Sequence, residues 1–300
     1  MNLLGFLFNC DEHSQKLPDE LYCKEYEHLY KKGVRTYLFD IASILEKNEV
    51  FLERSTIRVY LIYRGRMISA QQYQKLYDLL LEKNFQLIIT PKQYRESHYL
   101  DRWYPKLRDL TVRSYFSDGI PTDKEIKELL LKFGTKSVIV KDYVKALNYE
   151  WYESCFIEDA SNEHEALKVI SNFIEQQGDN FSDGLVLREY IDLKKDSKHF
   201  KNGNSTSEEI RIFCFGKEPF CFISYWSGGA ALRDKNFIKI IDQCASLNSP
   251  FYTLDLAKKK DGNWVLIDVG DGQVSNLRGY NIEKFYDCFL SVLNRLYVVY

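Results

Sequence analysis

Val265-Leu266-Ile267-Asp268-Val269-Gly270-Asp271-Gly272 is an apolar strand pattern with one carboxylate inside it and a second between two glycines. A charge in the middle of a strong strand is unfavourable unless its face meets solvent, a counter-ion or a ligand. The same tension recurs in Tyr252-Thr253-Leu254-Asp255-Leu256 and in Glu209-Ile210-Arg211-Ile212-Phe213. Lys141 follows Val138-Ile139-Val140, which places a fourth charge at the tip of a buried strand.

Two cations and three carboxylates in or beside such strands fit one shared polyphosphate with its divalent metal. Oxygen-rich sites suit Mg²⁺, which keeps several waters and shares phosphate oxygens. For any single residue of the five, an internal salt bridge explains the charge equally well. For all five together that explanation weakens, because each buried pair is costly to desolvate. Gly270 and Gly272 form neither a Walker lysine loop nor a dinucleotide fingerprint, since both need glycines feeding a helix at fixed spacing. Trp226-Ser227-Gly228-Gly229-Ala230 reads equally as a phosphate-covering loop or the end of a hairpin.

Working outward, strands and helices alternate over the first hundred residues. A helix is predicted from Asp19-Glu20 to Lys32 and a strand from Val34 to Phe39. A second strand, Ile57 to Ile62, ends in Tyr63-Arg64-Gly65-Arg66. A helix over Ala70 to Glu82, a strand over Gln86 to Ile89 and a helix opened by Pro91 follow. This βα alternation indicates a mostly parallel sheet with helical crossovers. Thr122 and Glu125 make a capping box. Strands at Ser137 to Val140 and Gly184 to Ile191 flank a helix at Glu163 to Gln177. Lys194 to Ser207, polar and serine-rich, is expected as a flexible loop. The pairs Glu209–Phe215 with Phe220–Tyr225, and Phe251–Ala257 with Trp264–Val269, look like antiparallel hairpins. Helices near Phe237 to Cys244 and Ile282 to Leu293 complete the pattern.

Bulk properties set the outer limits. A chain of 300 residues with 45% hydrophobic and 15% aromatic content is long enough to bury a core in two or three units. A net charge of -2 argues against a binder driven mainly by nonspecific phosphate neutralisation. The 7 cysteines are scattered without a CxxC pair, so reduced thiols are expected in place of a disulfide framework or zinc cluster. No signal peptide, membrane span or membrane partner is expected, and a cytoplasmic location follows by default.

The order and spacing of several segments resemble the ATP-grasp superfamily. The match is closer to a branch in which the ATP-grasp domain follows a small α/β region. The residues that carry it are Tyr63-Arg64-Gly65-Arg66-Met67, Gln93-Tyr94, His98, Trp103-Tyr104, Val140 to Lys145, Glu150-Trp151, Arg188-Glu189-Tyr190, Glu209 to Phe213 and Ile267 to Ser275. The resemblance implies a mixed α/β and α+β fold. An N-terminal parallel-sheet domain (1–105) would precede two α+β subdomains (106–191 and 192–300) that hold ATP between them. It implies adenine near Val186, Leu187, Arg188, Glu189 and Tyr190, with Lys141 on the phosphates and Lys145 either helping it there or reaching the acceptor substrate. Arg211 would face the terminal phosphates and the reacting carboxylate, and Arg64 would bind substrate. Asp255 and Asp268 would hold Mg²⁺, with Mn²⁺ as a substitute. Gly270 stands where the family has a metal-binding asparagine, and Asp271 is the expected replacement.

The implied reaction is ligation of a small-molecule or peptide carboxylate to an amine through an acylphosphate, with Lys141, Arg211 and Arg64 as the catalytic set. Two other readings stay open: an inactive ATP-binding or protein-interaction module, and a nucleic-acid end-modifying ligase, which the neutral charge disfavours. A homo-oligomer is compatible with the sequence. His98 is either a substrate contact or a structural histidine.

Overall fold

The computed structural model describes residues 2–144, 151–201, 204–224 and 234–299. Lys145, Glu150 and the Trp226-to-Ala230 glycine segment lie outside the described residues. The N-terminal part runs β1 (Asn2–Asp11), β2 (Ser14–Pro18), α1 (Cys23–Lys31), β3 (Thr36–Phe39), α2 (Ile41–Lys47), β4 (Val59–Arg64), α3 (Ala70–Glu82), β5 (Phe85–Leu87), α4 (Pro91–His98) and α5 (Leu100–Leu107). Strand β1 pairs in parallel with β3 and β4, and β4 pairs in parallel with β5. The parallel sheet expected from the alternating pattern is therefore present. Ser69 with Gln72 and Thr90 with Gln93 form reciprocal capping boxes at α3 and α4, and Pro91 stands in the first turn of α4.

The middle part contains β6 (Ser114–Phe116), α6 (Asp123–Leu130), β7 (Val138–Asp142), a short π-helix (Trp151–Cys155), β8 (Phe156–Ile157), α7 (Glu163–Gln177) and β9 (Leu185–Glu189). Its four strands form an antiparallel sheet in the order β6-β9-β7-β8. Ile126, Leu130, Ile170 and Phe173, on α6 and α7, bury their side chains against it.

Next come β10 (Lys195–Lys201), β11 (Asn204–Ser207), β12 (Glu209–Phe215), β13 (Glu218–Ser224), α8 (Lys235–Cys244), β14 (Phe251–Lys258), β15 (Trp264–Asp271), α9 (Ile282–Leu293) and β16 (Tyr297–Val298). The stretch expected as a loop from Lys194 to Ser207 is mostly the antiparallel β10–β11 pair. Backbone pairing needs no apolar side chain, so composition alone hides it. The second antiparallel sheet has the order β13-β12-β14-β15. Finally the chain crosses back: β16 pairs in parallel with β1, and α9 packs beside α1.

Period-two alternation divides the faces of this second sheet. Ile210, Ile212, Tyr252, Leu254 and Leu266 enter a core shared with Trp103 on α5 and Phe237 on α8. On the other face, Phe213, Phe215 and Phe251 pack with Phe285 and Phe289 of α9 in the core of the N-terminal sheet. The polar ends of that second face, from Glu209 and Asp255 onward, open into a cleft.

A buried guanidinium fixes the turn after β15. Arg64 is 0% exposed at the end of β4. It donates through Nη1 to the carbonyl oxygens of Gly272, Gln273 and Ser275 at 2.9, 2.9 and 3.0 Å. Its Nε and Nη2 bind the Glu25 carboxylate at 2.8–3.0 Å, and Tyr286 Oη donates to the same carboxylate. Removing one partner of a buried pair strands the other charge. Arg64→Ala is therefore expected to lower the unfolding free energy by about 3–5 kcal/mol in urea titrations. A loss below about 1 kcal/mol would mean that the turn keeps its place without the guanidinium.

Candidate active site

A cleft of about 1040 Å³ lies between the two antiparallel sheets and is closed on one side by Met67 and His98 of the N-terminal part. Its chemistry starts from strand register. Arg211 on β12 is directly opposite Asp255 on β14, and Asp255 is directly opposite Asp268 on β15. One rung of the sheet thus carries a cation and two carboxylates side by side, and all three line the cleft. Strands about 4.8 Å apart bring such side chains within reach of one ligand.

A bulge aims the last member of the rung. Asp255 pairs with Asp268 while Leu256 pairs with Leu266, which leaves Ile267 as the extra residue. Ile267 and Asp268 consequently both line the cleft, and the Ile267 carbonyl accepts a hydrogen bond from Arg188 Nη1 at 2.8 Å. Bulges beside functional sites commonly redirect a side chain in this way.

From the facing sheet, β7 delivers Lys141, whose Nζ is 3.8 Å from Asp268 Oδ2. Burial lowers the Lys141 pKa below its ordinary value, and the Asp268 carboxylate opposes that shift. Arg188 is 5% exposed, donates to Thr111 Oγ1 at 2.9 Å, and has a buried Nε without a hydrogen-bond partner. On the cleft wall these two buried cations share Asp268, since Asp142, the other carboxylate near Lys141, accepts hydrogen bonds from the Val144 and Ser182 backbone N–H groups, and the arrangement suits an anion. Arg211 is bound in a fork by Asp255 at 2.7 and 2.8 Å, and also reaches Asn276.

Not every expected residue belongs to this cleft. Val186 and Leu187 are 0% exposed and pack into the cores on either side of β9, while Arg188, Glu189 and Tyr190 line the cleft. The lining continues through Ile191, Asp192 and Leu193. The Glu189 carboxylate is gripped by Arg113 at 2.8 Å and by Lys136. Burial works to raise its pKa, but hydrogen bonds from Lys136 and Arg113 bring it below the ordinary value. Arg64 is excluded from a substrate role by its full burial and its saturation with protein acceptors.

Asp271 is also displaced from its expected place. It is 0% exposed, absent from the cleft wall, and accepts hydrogen bonds from the Gln273 backbone and side chain at 3.0 and 3.2 Å. Period-two geometry puts it out of phase with Asp268 and Gly270. Nor does position 270 have room for a ligand side chain. A Cβ on Gly270 would lie 2.7 Å from Thr253 Oγ1 and 3.0 Å from Ser275 Oγ. Those hydroxyls hydrogen-bond each other at 2.8 Å. Among the described residues no group of three or more His, Cys, Asp or Glu could hold a metal ion. The two carboxylates of the rung, Asp255 and Asp268, would suit Mg²⁺ with water and phosphate oxygens completing the shell.

Pattern reading misses Arg278. It lies in the loop after β15, lines the cleft, and donates to Asp255 at 3.0 Å. His98 lines the cleft beside Met67 and stacks on Tyr94.

Two antiparallel sheets facing each other across a charged cleft, next to an N-terminal parallel sheet, define the ATP-grasp architecture. Residues 132–288 match the ATP-grasp domain of the R-two-K clade, family 3, and the chain belongs to that family. Solved structures agree in fold. A RimK domain ATP-grasp protein from Sphaerobacter thermophilus aligns over 95% of this chain and 100% of its own, with TM-score 0.58 and 12% identity. D-alanyl-alanine synthetase A from Vibrio cholerae aligns over 98% and 100%, with TM-score 0.57 and 10% identity. The ATP-grasp ligase PsnB, solved with a variant precursor, Mg and ADP, aligns over 97% and 98%, with TM-score 0.54 and 14% identity. No curated protein matches the chain by sequence. Among the described residues no helix is long and apolar enough to cross a membrane.

Burial raises the Asp271 pKa to about 7, against the lowering effect of the Gln273 hydrogen bonds. A carboxyl raised on folding contributes stability that is full below the unfolded pKa and declines as pH rises through the folded one. Stability should therefore fall between about pH 4 and about pH 7 and then level off. Asp271→Asn is expected to flatten that decline in thermal unfolding followed across pH. An unaltered slope would assign the titration to another group.

Proposed function

We propose that this protein is an ATP-dependent carboxylate–amine ligase working through an acylphosphate. The observation that carries this reading is the convergence of Lys141, Arg188 and Arg211 with Asp255 and Asp268 in one cleft. Such a set balances a triphosphate and its metal, and the proposed chemistry requires no covalent enzyme intermediate. The cysteines at positions 10, 155, 214, 221 and 244 are buried, and none of the seven lines the cleft.

The segment Arg188 to Leu193 would border the base. Lys141 and Arg188 would meet phosphate oxygens, in a buried setting where charge interactions are stronger than in water. Asp255 and Asp268 would hold Mg²⁺, which supplies Lewis-acid neutralisation of the phosphates. Arg211 would orient the attacking carboxylate against the terminal phosphate, since a guanidinium fork matches both groups. Substrate would enter from the side of Met67 and His98, the N-terminal edge of the cleft. The precursor peptide in a PsnB complex and the dipeptide product named for the Vibrio enzyme support a peptide or amino-acid substrate here.

The glycine at position 270 favours one other reading, a nucleotide-binding protein without ligase turnover. Hydroxylamine separates the two. An acylphosphate formed from pooled carboxylates is trapped as a hydroxamate, whereas a binding module releases neither hydroxamate nor ADP.

Mg²⁺-dependent ATP binding, followed by calorimetry, tests the assignments themselves. Lys141→Ala is expected to weaken binding about tenfold or more, the scale of one lost charge-assisted contact. Asp268→Ala is expected to abolish the metal dependence. Equal binding by the wild type and both variants would defeat the phosphate and metal assignments together.

A further inference from the structure

Arg278 has a backbone φ of 48°, in the left-handed region that residues with side chains seldom occupy, and Gly279 follows at 78°. Asn276 Oδ1 accepts the Arg278 backbone N–H at 3.3 Å and also faces Arg211 Nη1 at 3.3 Å. The turn thereby holds two arginines at one place. Arg278 Nη2 donates to Asp255 Oδ2 at 3.0 Å, and Arg211 Nη2 donates to the same oxygen at 2.7 Å. Glu209 stands 3.9 Å from Arg278 Nη1, beyond hydrogen-bond reach. Both guanidiniums are largely withdrawn from solvent, with side-chain exposures of 15% and 20%.

Two cations of like charge therefore converge on a carboxylate that the ligase reading assigns to a metal. A divalent cation held by Asp255 would compete with Arg211 for both carboxylate oxygens and with Arg278 for Oδ2. Each guanidinium given up needs another anion close by, because an unpaired buried charge is costly. A terminal phosphate offers three oxygens and up to two negative charges, which suits a pair of forks better than a single one.

We propose that Arg278 is a second phosphoryl-binding cation, closing with Arg211 on the terminal phosphate of ATP as Asp255 passes to the metal. This rests on the ligase reading and adds a catalytic residue to it. In the first half-reaction a substrate carboxylate oxygen bonds to the γ-phosphorus while the β–γ bridging P–O bond breaks. The electron pair of that bond leaves on ADP, and no proton moves. Arg211 and Arg278 meet the charge on the equatorial oxygens of the transferring group.

The test compares binding of ADP and of the non-hydrolysable triphosphate AMPPNP, each with Mg²⁺, to wild type, Arg278→Ala, Arg278→Gln and Arg278→Lys. The wild type is expected to prefer the triphosphate. Arg278→Ala and Arg278→Gln should cut that preference about tenfold while ADP affinity stays within about twofold. Arg278→Lys should restore part of it, since it returns the charge without the fork. An unchanged preference in either neutral variant, or equal weakening of both nucleotides, would overturn the assignment. Failure of the wild type to bind either nucleotide would instead defeat the ligase reading underneath. The neutral variants should also bind Mn²⁺ alone more tightly, as read by electron paramagnetic resonance, because one competitor for Asp255 is gone. Unaltered Mn²⁺ affinity would overturn the exchange at Asp255.

Discussion

The buried Arg64 guanidinium is the interaction on which the arrangement of the cleft depends. It joins three parts of the chain that are remote in sequence: the end of β4, the acid Glu25 on α1, and the carbonyls of Gly272, Gln273 and Ser275. Carbonyls in a tight turn away from water must find donors. One planar side chain satisfies three of them here, while Glu25 and Tyr286 balance its charge. Such an arrangement is a weak source of net stability but a strong selector of one geometry, because each alternative strands a charge or several acceptors. What it selects is the direction of the chain leaving β15, and with it the positions of Ser275, Asn276 and Arg278 along the cleft.

The same turn explains why Asp271 is inside the protein. Its carboxylate meets the Gln273 backbone N–H, and the Gln273 side chain extends the contact to Tyr73 Oη at 2.9 Å and to the Tyr63 N–H at 3.1 Å. The sequence Gly270-Asp271-Gly272-Gln273 is thus a joint between the N-terminal sheet and the sheet that carries the cleft acids. Gly272 has no space for a side chain, since a Cβ there would lie 2.5 Å from the Phe251 ring. Both glycines serve close packing of the joint.

How much of this is legible in the sequence follows from what strand patterns encode. A charge inside an apolar strand shows because period-two alternation makes it anomalous, and Lys141, Arg211, Asp255 and Asp268 stand out that way. The helices with capping boxes are legible for a similar reason, as at Thr122 with Glu125. Arg64 and Asp271, one cationic and one anionic, also stand at strand ends, but the pattern cannot tell a ligand-facing charge from one satisfied by the protein's own backbone. That distinction depends on partners 39 and 208 residues away. Val186 and Leu187 read as one segment with their polar neighbours, although the sheet buries them and presents only the end of β9. Arg278 gives no signal, because a cation in a polar loop has the appearance of an ordinary solvated residue.

The placement of charges across the cleft follows from this mixture of local and remote causes. Register alone aligns Arg211, Asp255 and Asp268, and that alignment needs only the two antiparallel neighbours of β14, β12 and β15. Lys141 and Arg188 come from the other sheet, so their distance from Asp268 is set by how the two halves pack. A carboxylate rung built within one sheet keeps its spacing when the halves move. The cations opposite it do not share that constraint. An opening of the halves by a few ångströms would weaken the Lys141–Asp268 attraction steeply in a buried setting, where Coulomb energy is less screened than in water. The fold therefore separates an acidic rung held within one sheet from cations on the other, and on the proposed reading a ligand carrying phosphate on one side and a divalent cation on the other would draw them together.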